Sequence, residues 1–191
     1  MADLPADFVM SMSRLLPPEQ LTAFLRCYDM PALRGVRLNP LKPCRQAIPV
    51  EELDGAVAWE PNGYYLTEDS PAGARPLHEC GAYYIQEPSA MLPAAVLNAK
   101  PGERVLDLCA APGGKSTQLG AGMNGEGLLV CNEPIPKRAQ VLSRNVERMG
   151  LRNALVVSAM PEQLARNWPE HFDAVLVDAP CSGEGMFRRH P

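Results

Sequence analysis

Apolar positions along this chain switch between two periods, and the switches mark out its elements. Residues 7–16, DFVMSMSRLL, space their apolar side chains as a short helix. Pro17–Pro18 interrupts it and starts a second helix through about Tyr28, with Leu21, Phe24, Leu25 and Tyr28 on one face. Arg34 to Asn39 alternates like a strand and stops at Pro40. The polar segment 50–55, VEELDG, predicts a helix. Trp59 and Tyr64–Leu66, on either side of a Pro-Asn-Gly turn, predict a hairpin. Tyr83–Ile85 predicts a strand that leads into the second half. SAMLPAAVLN at 89–98 predicts a helix with Ser89 or Glu87 near its N-cap, ended by Pro101–Gly102.

From there short apolar runs alternate with helical spacing. Val105–Cys109 has the pattern of a buried strand, Ala110–Gly114 that of a small-residue turn, and a helix follows from Lys115 to about Ala121. Leu128–Cys131 is a second strand. Ile135, Ala139, Leu142, Val146 and Met149 recur at steps of 4, 3, 4 and 3, predicting a helix with Pro136 in its first turn and Gly150 at its stop. Leu155–Val157 is a third strand, Pro161–Asn167 a short helix, and Asp173–Val177 a fourth strand. Strands alternating with helices predict an α/β fold with a parallel, doubly wound sheet. Two domains are expected: a small α+β unit over 1–80, serving as a cap or as a substrate-recruiting domain, and the main domain over 81–191. Four strands are few for such a sheet, and the apolar fourth would lie at an exposed edge. The chain is therefore expected to be the front part of a longer protein.

Composition narrows this picture only slightly. The 191 residues are 46% apolar and 21% charged, which is a globular balance. Residues 1–86 carry 7 basic and 11 acidic side chains and residues 87–191 carry 11 of each, so the bulk charge announces no nucleic-acid surface. The six cysteines (27, 44, 80, 109, 131 and 181) form no CxxC pair and the histidines no cluster, so neither a metal site nor a disulfide framework is expected. The acidic N-terminus and the lack of a run of ~18 apolar residues imply no signal peptide and no membrane span. A reducing, cytoplasmic setting follows. Arg37 and Asn39 are open to two readings, a phosphate contact or ordinary solvation and a local turn bond.

The chemistry concentrates in RVLDLCAAPGGKS, 104–116. Strand, glycine turn and helix together aim backbone N–H groups at a ligand beside a sheet's carboxyl edge. Gly114–Lys115–Ser116 matches the end of a phosphate-binding loop, but that loop needs glycine where Cys109 stands, and Pro112 removes a donor. The G-x-G-x-x-G fingerprint is absent too. Glu133 lies 20 residues beyond Gly113 at the end of the second strand, where a carboxylate can accept from both ribose hydroxyls. Asp107 lies before the turn, near the amino-acid end of such a ligand, or orients the loop's own N–H groups. Together these residues point to S-adenosylmethionine. The fourth strand ends in Asp178–Ala179–Pro180–Cys181–Ser182–Gly183–Glu184–Gly185. In a doubly wound order that strand adjoins the first, so its loop faces the glycine turn. A thiolate added to C6 of cytosine makes C5 nucleophilic, an acid near N3 stabilises the ring charge, and a base must then remove the C5 proton. Asp178 and Cys181 are the catalytic candidates.

DLCAAPGGKS at 107–116, NEPIPKRAQVLSRNVERMG at 132–150, DAPCSGEGM at 178–186 and YYIQEPSAMLPA at 83–94 resemble the Nol/Nop/Sun family of RNA cytosine-C5 methyltransferases, most of all its bacterial 16S rRNA methyltransferase F-like members. The resemblance implies a Rossmann-like methyltransferase core and S-adenosylmethionine as cofactor. It implies an RNA partner, of the rRNA class, and neither membrane nor metal. Donor binding would fall to Cys109, Ala110, Ala111, Pro112, Gly113, Gly114, Lys115, Glu133 and Asp178, with Asp178 also facing the target cytosine. Many members carry an Asp after the third strand, where this chain has about Met160. The family cysteine matching Cys181 assists product release, and the nucleophile lies in a later Thr-Cys segment that these 191 residues do not reach. DNA cytosine methyltransferases attack from a Pro-Cys motif in this loop, so attack by Cys181 stays open by analogy. The competing readings are a non-catalytic donor- or RNA-binding remnant and an NTPase.

Overall fold

The computed structural model describes residues 4–44, 46–181 and 187. They form two compact units. One holds α1 (Ala6–Leu15) and α2 (Pro18–Arg26), together with Pro180, Cys181 and Phe187. Its centre is aromatic. Phe8, 6% exposed, meets Phe24, Tyr28 and Phe187 at ring-centroid distances of 6.2, 5.8 and 5.0 Å.

The other unit, Leu33–Ala179, contains two sheets. Its elements are β1 (Arg34–Leu38), β2 (Leu53–Ala56), β3 (Gly63–Leu66), the one-turn α3 (Pro76–Glu79), β4 (Tyr83–Ile85), α4 (Leu92–Leu97) and β5 (Arg104–Asp107). They continue with α5 (Gly114–Gly122), β6 (Leu128–Asn132), α6 (Pro136–Met149), β7 (Ala154–Val157), α7 (Pro161–Asn167) and β8 (Ala174–Leu176). The first sheet is antiparallel in the order β2-β3-β1-β4, and the second is parallel in the order β7-β6-β5-β8. The expected parallel sheet is present, with the fourth strand of the main domain beside the first. Alternation along its central strands covers both faces. Val105, Leu129 and Cys131 join α4, α5 and α6 in one core, while Leu106 and Val130 pack with Leu164 of α7 on the other side. On α6, Ala139, Leu142, Val146 and Met149 are buried as the spacing predicts, and Gly150 ends the helix at φ +80°. Ile135 lies outside that stripe, at the N-cap and half exposed.

Three local expectations change. Residues 50–55 are not a helix: Val50–Glu52 is a single 3-10 turn, and the chain then becomes β2, pairing Leu53 with Leu66 and Ala56 with Tyr64. Gly55, at φ +90° in the register shift between those pairs, weakens any helix there, and the backbone is satisfied across the sheet instead. The 89–98 helix begins as a 3-10 turn. Glu87 does cap it, accepting from Ala90 N at 3.0 Å, but Asn98, at φ +53°, rather than Pro101 ends it. Tyr83–Ile85 is an edge strand of the antiparallel sheet, paired with β1, so that sheet extends past residue 80.

Asn39 makes the local turn bond, its Oδ1 accepting from Leu41 N at 3.0 Å, but neither Arg37 nor Asn39 is solvated. Both are buried, at 1% and 2% exposure. Asn39 Nδ2 donates to Gly81 O and Met149 O, each at 2.8 Å, and ties β1 to the end of α6. Gly81 itself has φ +70°, and a Cβ there would overlap the Arg148 carbonyl of α6. Gly81→Ala is therefore expected to destabilise the protein by about 2–4 kcal/mol, through overlap with backbone and a left-handed alanine. Urea unfolding of both proteins measures this, and an unchanged midpoint would contradict the close approach.

Candidate functional site

β5 stops hydrogen-bonding as a strand at Asp107, and the chain turns over the carboxyl edge of the parallel sheet. Leu108 N still donates to Leu176 O at 2.9 Å, and Ala110 N to Asn132 O at 2.8 Å. Gly113 then takes φ +114° as the N-cap of α5. That angle suits glycine, and a Cβ would also press on Leu142 at 3.2 Å. Three side chains grip the turn from behind. Asn132 Nδ2 donates to Leu108 O at 3.0 Å, Arg138 Nη2 to Ala111 O at 3.2 Å, and Asn145 Nδ2 to Pro112 O at 2.7 Å. The sequence reading missed all three. Their signal was available: Arg138 and Asn145 stand seven residues apart, two turns along the same face of α6.

In front of the turn is a cavity of about 220 Å³. Cys109, Ala110, Ala111, Pro112, Gly114 and Lys115 line it, with Asp107 below and Asp178 from the end of β8. Tyr84, Ile85, Gln86 and Ala90 complete the wall, so the antiparallel sheet contributes to it directly. Lys115 Nζ donates to Asp178 Oδ2 at 2.6 Å, which joins the two loops expected to face each other. A larger cavity of about 370 Å³ at the far end of α5, by Trp59 and Gln118, is lined by Arg37 but by none of the expected donor-binding or catalytic residues.

Asp107 is the buried acid of the site, 1% exposed. Ser116 Oγ donates to its Oδ2 at 2.6 Å, and its Oδ1 is buried without a partner among the described residues. Burial, with the Asp178 charge, pushes its carboxyl up to about 6, against the Ser116 hydrogen bond, the nearby Lys115 ammonium and the Cys109 backbone N–H, which favour the anion. Burial also raises the Cys109 thiol, helped by the carboxylates of Asp107, Glu133 and Asp178. A thiol held up in this way is a poor nucleophile.

Glu133, at the end of β6, is not among the residues that line the cavity in front of the turn. It is 2% exposed rather than solvated. Its Oε1 accepts from Ile135 N at 3.0 Å, and its Oε2 meets Arg138 Nη1 at 3.0 Å. Arg138 thus links the carboxylate to Ala111 O. Met160 is half exposed at the start of α7, with its N–H bonded to Gln163 Oε1 at 2.9 Å. Cys181 is an exposed free thiol in the unit of α1 and α2. Ser182 to Met186 of the same motif lie outside the described residues. Among the described residues no group of His, Cys, Asp or Glu could hold a metal ion, and no helix is long and apolar enough to cross a membrane.

The raised pKa of Asp107 makes stability depend on pH. Between its ordinary 3.8 and about 6, the folded protein binds more protons here than the unfolded chain does. Asp107 therefore lowers stability as pH rises through that window, and by a constant amount above it. Relative to Asp107→Asn, the wild-type protein is expected to lose about 2–3 kcal/mol between pH 4 and pH 7. Urea unfolding across that range measures the difference; parallel curves for the two proteins would rule out the shift.

Comparison with known proteins adds a family to this geometry. Residues 94–191 match the family model described as 16S rRNA methyltransferase RsmB/F, and residues 4–88 match that of the N-terminal domain of 16S rRNA methyltransferase RsmF. Ribosomal RNA small subunit methyltransferase F of Vibrio cholerae is 41% identical over 201 aligned positions, covering 98% of this chain and 42% of the relative. That of Pectobacterium atrosepticum is 37% identical, covering 100% of this chain and again 42% of the relative. A crystal structure of a methyltransferase homolog protein from Pyrococcus horikoshii superposes with a TM-score of 0.79 at 30% identity, over 90% of this chain and 58% of that one. The chain thus spans less than half the length of these curated relatives. With more than half of its residues matched by one model, and with that model's segment carrying the glycine turn, the Lys115–Asp178 pair and Glu133, the chain belongs to the 16S rRNA methyltransferase RsmB/F family.

Proposed function

We propose that this chain is the donor-binding part of an enzyme that transfers a methyl group from S-adenosylmethionine to C5 of a cytosine in RNA, with 16S rRNA as the substrate and the cytoplasm as the place of action. The observation that carries the reading is the cavity at the carboxyl edge of β5, with Asp107 and the Lys115–Asp178 pair on its walls. The residues fit the donor. Asp107 Oδ1 is a buried acceptor lacking a donor, which the ammonium at the amino-acid end of S-adenosylmethionine would supply. The backbone from Cys109 to Lys115 would hold that end, and Glu133 would accept from the ribose, with Arg138 setting its position. When bound, the donor supplies an electrophilic methyl group.

The chain's other residues serve the base. Asp178 would face N3 of the cytosine and stabilise the charge that develops there when a thiolate adds to C6; once C5 carries the methyl group, a base would take the C5 proton and the thiolate would leave. Cys181 would assist release of the product, as the family likeness implies. Residues 1–80 would recruit RNA or cap the site, and 81–191 would bind the donor. A target base inside a duplex would have to be flipped out, or already be unpaired, to reach this site.

Calorimetry with S-adenosylhomocysteine tests the donor assignment. Binding to the 191-residue chain is expected, weakened roughly tenfold or more by Lys115→Ala, which removes a charged hydrogen-bond donor from the wall. Titration without heat in the wild-type chain would refute the reading. For the base, Cys181→Ala in a full-length relative is expected to accumulate a covalent protein–RNA adduct on denaturing gels. Loss of the adduct instead would assign attack, not release, to this cysteine.

A further inference from the structure

The first turn of α5 presents a different residue to each of three neighbours. Ser116 reaches down to Asp107 of β5, and Lys115 reaches across to Asp178 beyond β8. Gly114 and Thr117 face the antiparallel sheet, where Arg37 of β1 meets them. Its Nη2 donates to Gly114 O at 3.1 Å and to Thr117 Oγ1 at 2.8 Å. Thr117 Oγ1 also donates to Gly114 O at 3.1 Å, so the three groups close a small ring. Arg37 Nε donates to Gln86 Oε1 at 3.2 Å, and Gln86 Nε2 donates to Ala90 O at 3.0 Å. Gln86, Ala90 and Gly114 all line the donor cavity.

Arg37 is 1% exposed, among the largest fully buried side chains. Its guanidinium lies 6.0 Å from the ring centroid of Tyr84, another wall residue. Burying a cation is costly unless its donors are satisfied, and a strand needs no arginine at such a position for packing alone. What the guanidinium supplies that an apolar residue does not is a rigid fork of directed donors. Here the fork spans two walls of one cavity, the Gln86 wall and the α5 wall.

Resting on the donor assignment above, we infer that Arg37 is a positioning residue for the methyl-donor site: it fixes the first turn of α5 so that Lys115 and Ser116 meet Asp178 and Asp107. Arg37 touches no ligand in this role. It makes the antiparallel sheet a part of the donor site, because the spacing between Gln86 and Gly114 is set by one side chain from β1. A lysine would keep the charge but lose the fork.

Three proteins decide the matter: the wild-type chain, Arg37→Lys, and Thr117→Val, which removes the hydroxyl that Arg37 contacts while keeping the side-chain shape. Affinity for S-adenosylhomocysteine is measured by calorimetry, well below each protein's own unfolding midpoint, so that the unfolded fraction is negligible. Arg37→Lys is expected to weaken binding roughly tenfold and Thr117→Val by a smaller factor in the same direction, in keeping with lost directed hydrogen bonds. A merely structural arginine would lower the midpoint and leave the affinity of the folded protein unchanged, and that result overturns the inference. If Arg37→Lys does not fold, wild-type affinity in Thr117→Val overturns it by itself. Failure of the wild-type chain to bind the analogue would instead sink the donor assignment, which separates the two claims.

Discussion

The site depends first on the parallel pairing of β5 with β8. Asp107 lies in register with Leu176, and Leu108 N still reaches Leu176 O. Two residues later the chain arrives at Asp178, already opposite the glycine turn. The Lys115–Asp178 contact is a consequence of this register: a slip of one residue would turn every side chain to the other face of the sheet. Positions 107 to 115 and 178 are far apart in sequence, and the ladder brings them within hydrogen-bonding reach.

A second constraint is the polar interior of the 33–179 unit. Arg37, Asn39, Glu60, Asp107, Gln118 and Glu133 are all buried. Nearly every one is placed by a specific partner. Glu60 Oε2 accepts from Gln118 Nε2 at 2.6 Å, Asn39 holds Gly81 and Met149, and Glu133 holds Arg138. Buried hydrogen bonds contribute modestly when made and cost heavily when lost, so such a network selects one arrangement of the two sheets more than it adds stability. Two of these residues keep one oxygen without a partner among the described residues, Gln118 Oε1 and Asp107 Oδ1, and only the second belongs to a residue that lines the cavity in front of the glycine turn.

The glycine turn shows how the two constraints combine. Its conformation is local, set by Gly113 and the short sequence around it. Its position is not. Asn132, Arg138 and Asn145 bond its carbonyls from one side, and Arg37 bonds the start of α5 from the other. The burial that raises the Asp107 and Cys109 pKa values belongs to the same packing.

Periodicity alone determined much of this protein. The parallel sheet, its strands and the buried stripe of α6 were legible because alternation and the 3–4 spacing report directly which side chains leave water. The glycine turn is legible because Gly113 suits the backbone angle it takes, and the meeting of its loop with Asp178 because a doubly wound order sets β8 beside β5. VEELDG was misread because its helical composition is outweighed by cross-strand bonds with β3, which no window along the chain contains. Arg37 was misread for the same reason: an arginine in an alternating strand looks solvated until a second element covers it. The seven-residue spacing of Arg138 and Asn145 puts them on one face of α6, but only the fold shows that this face meets the Ala111 and Pro112 carbonyls. Local pattern decides which elements form. The tertiary structure alone decided which polar groups are buried, since burial and hydrogen-bond partners depend on residues tens of positions away.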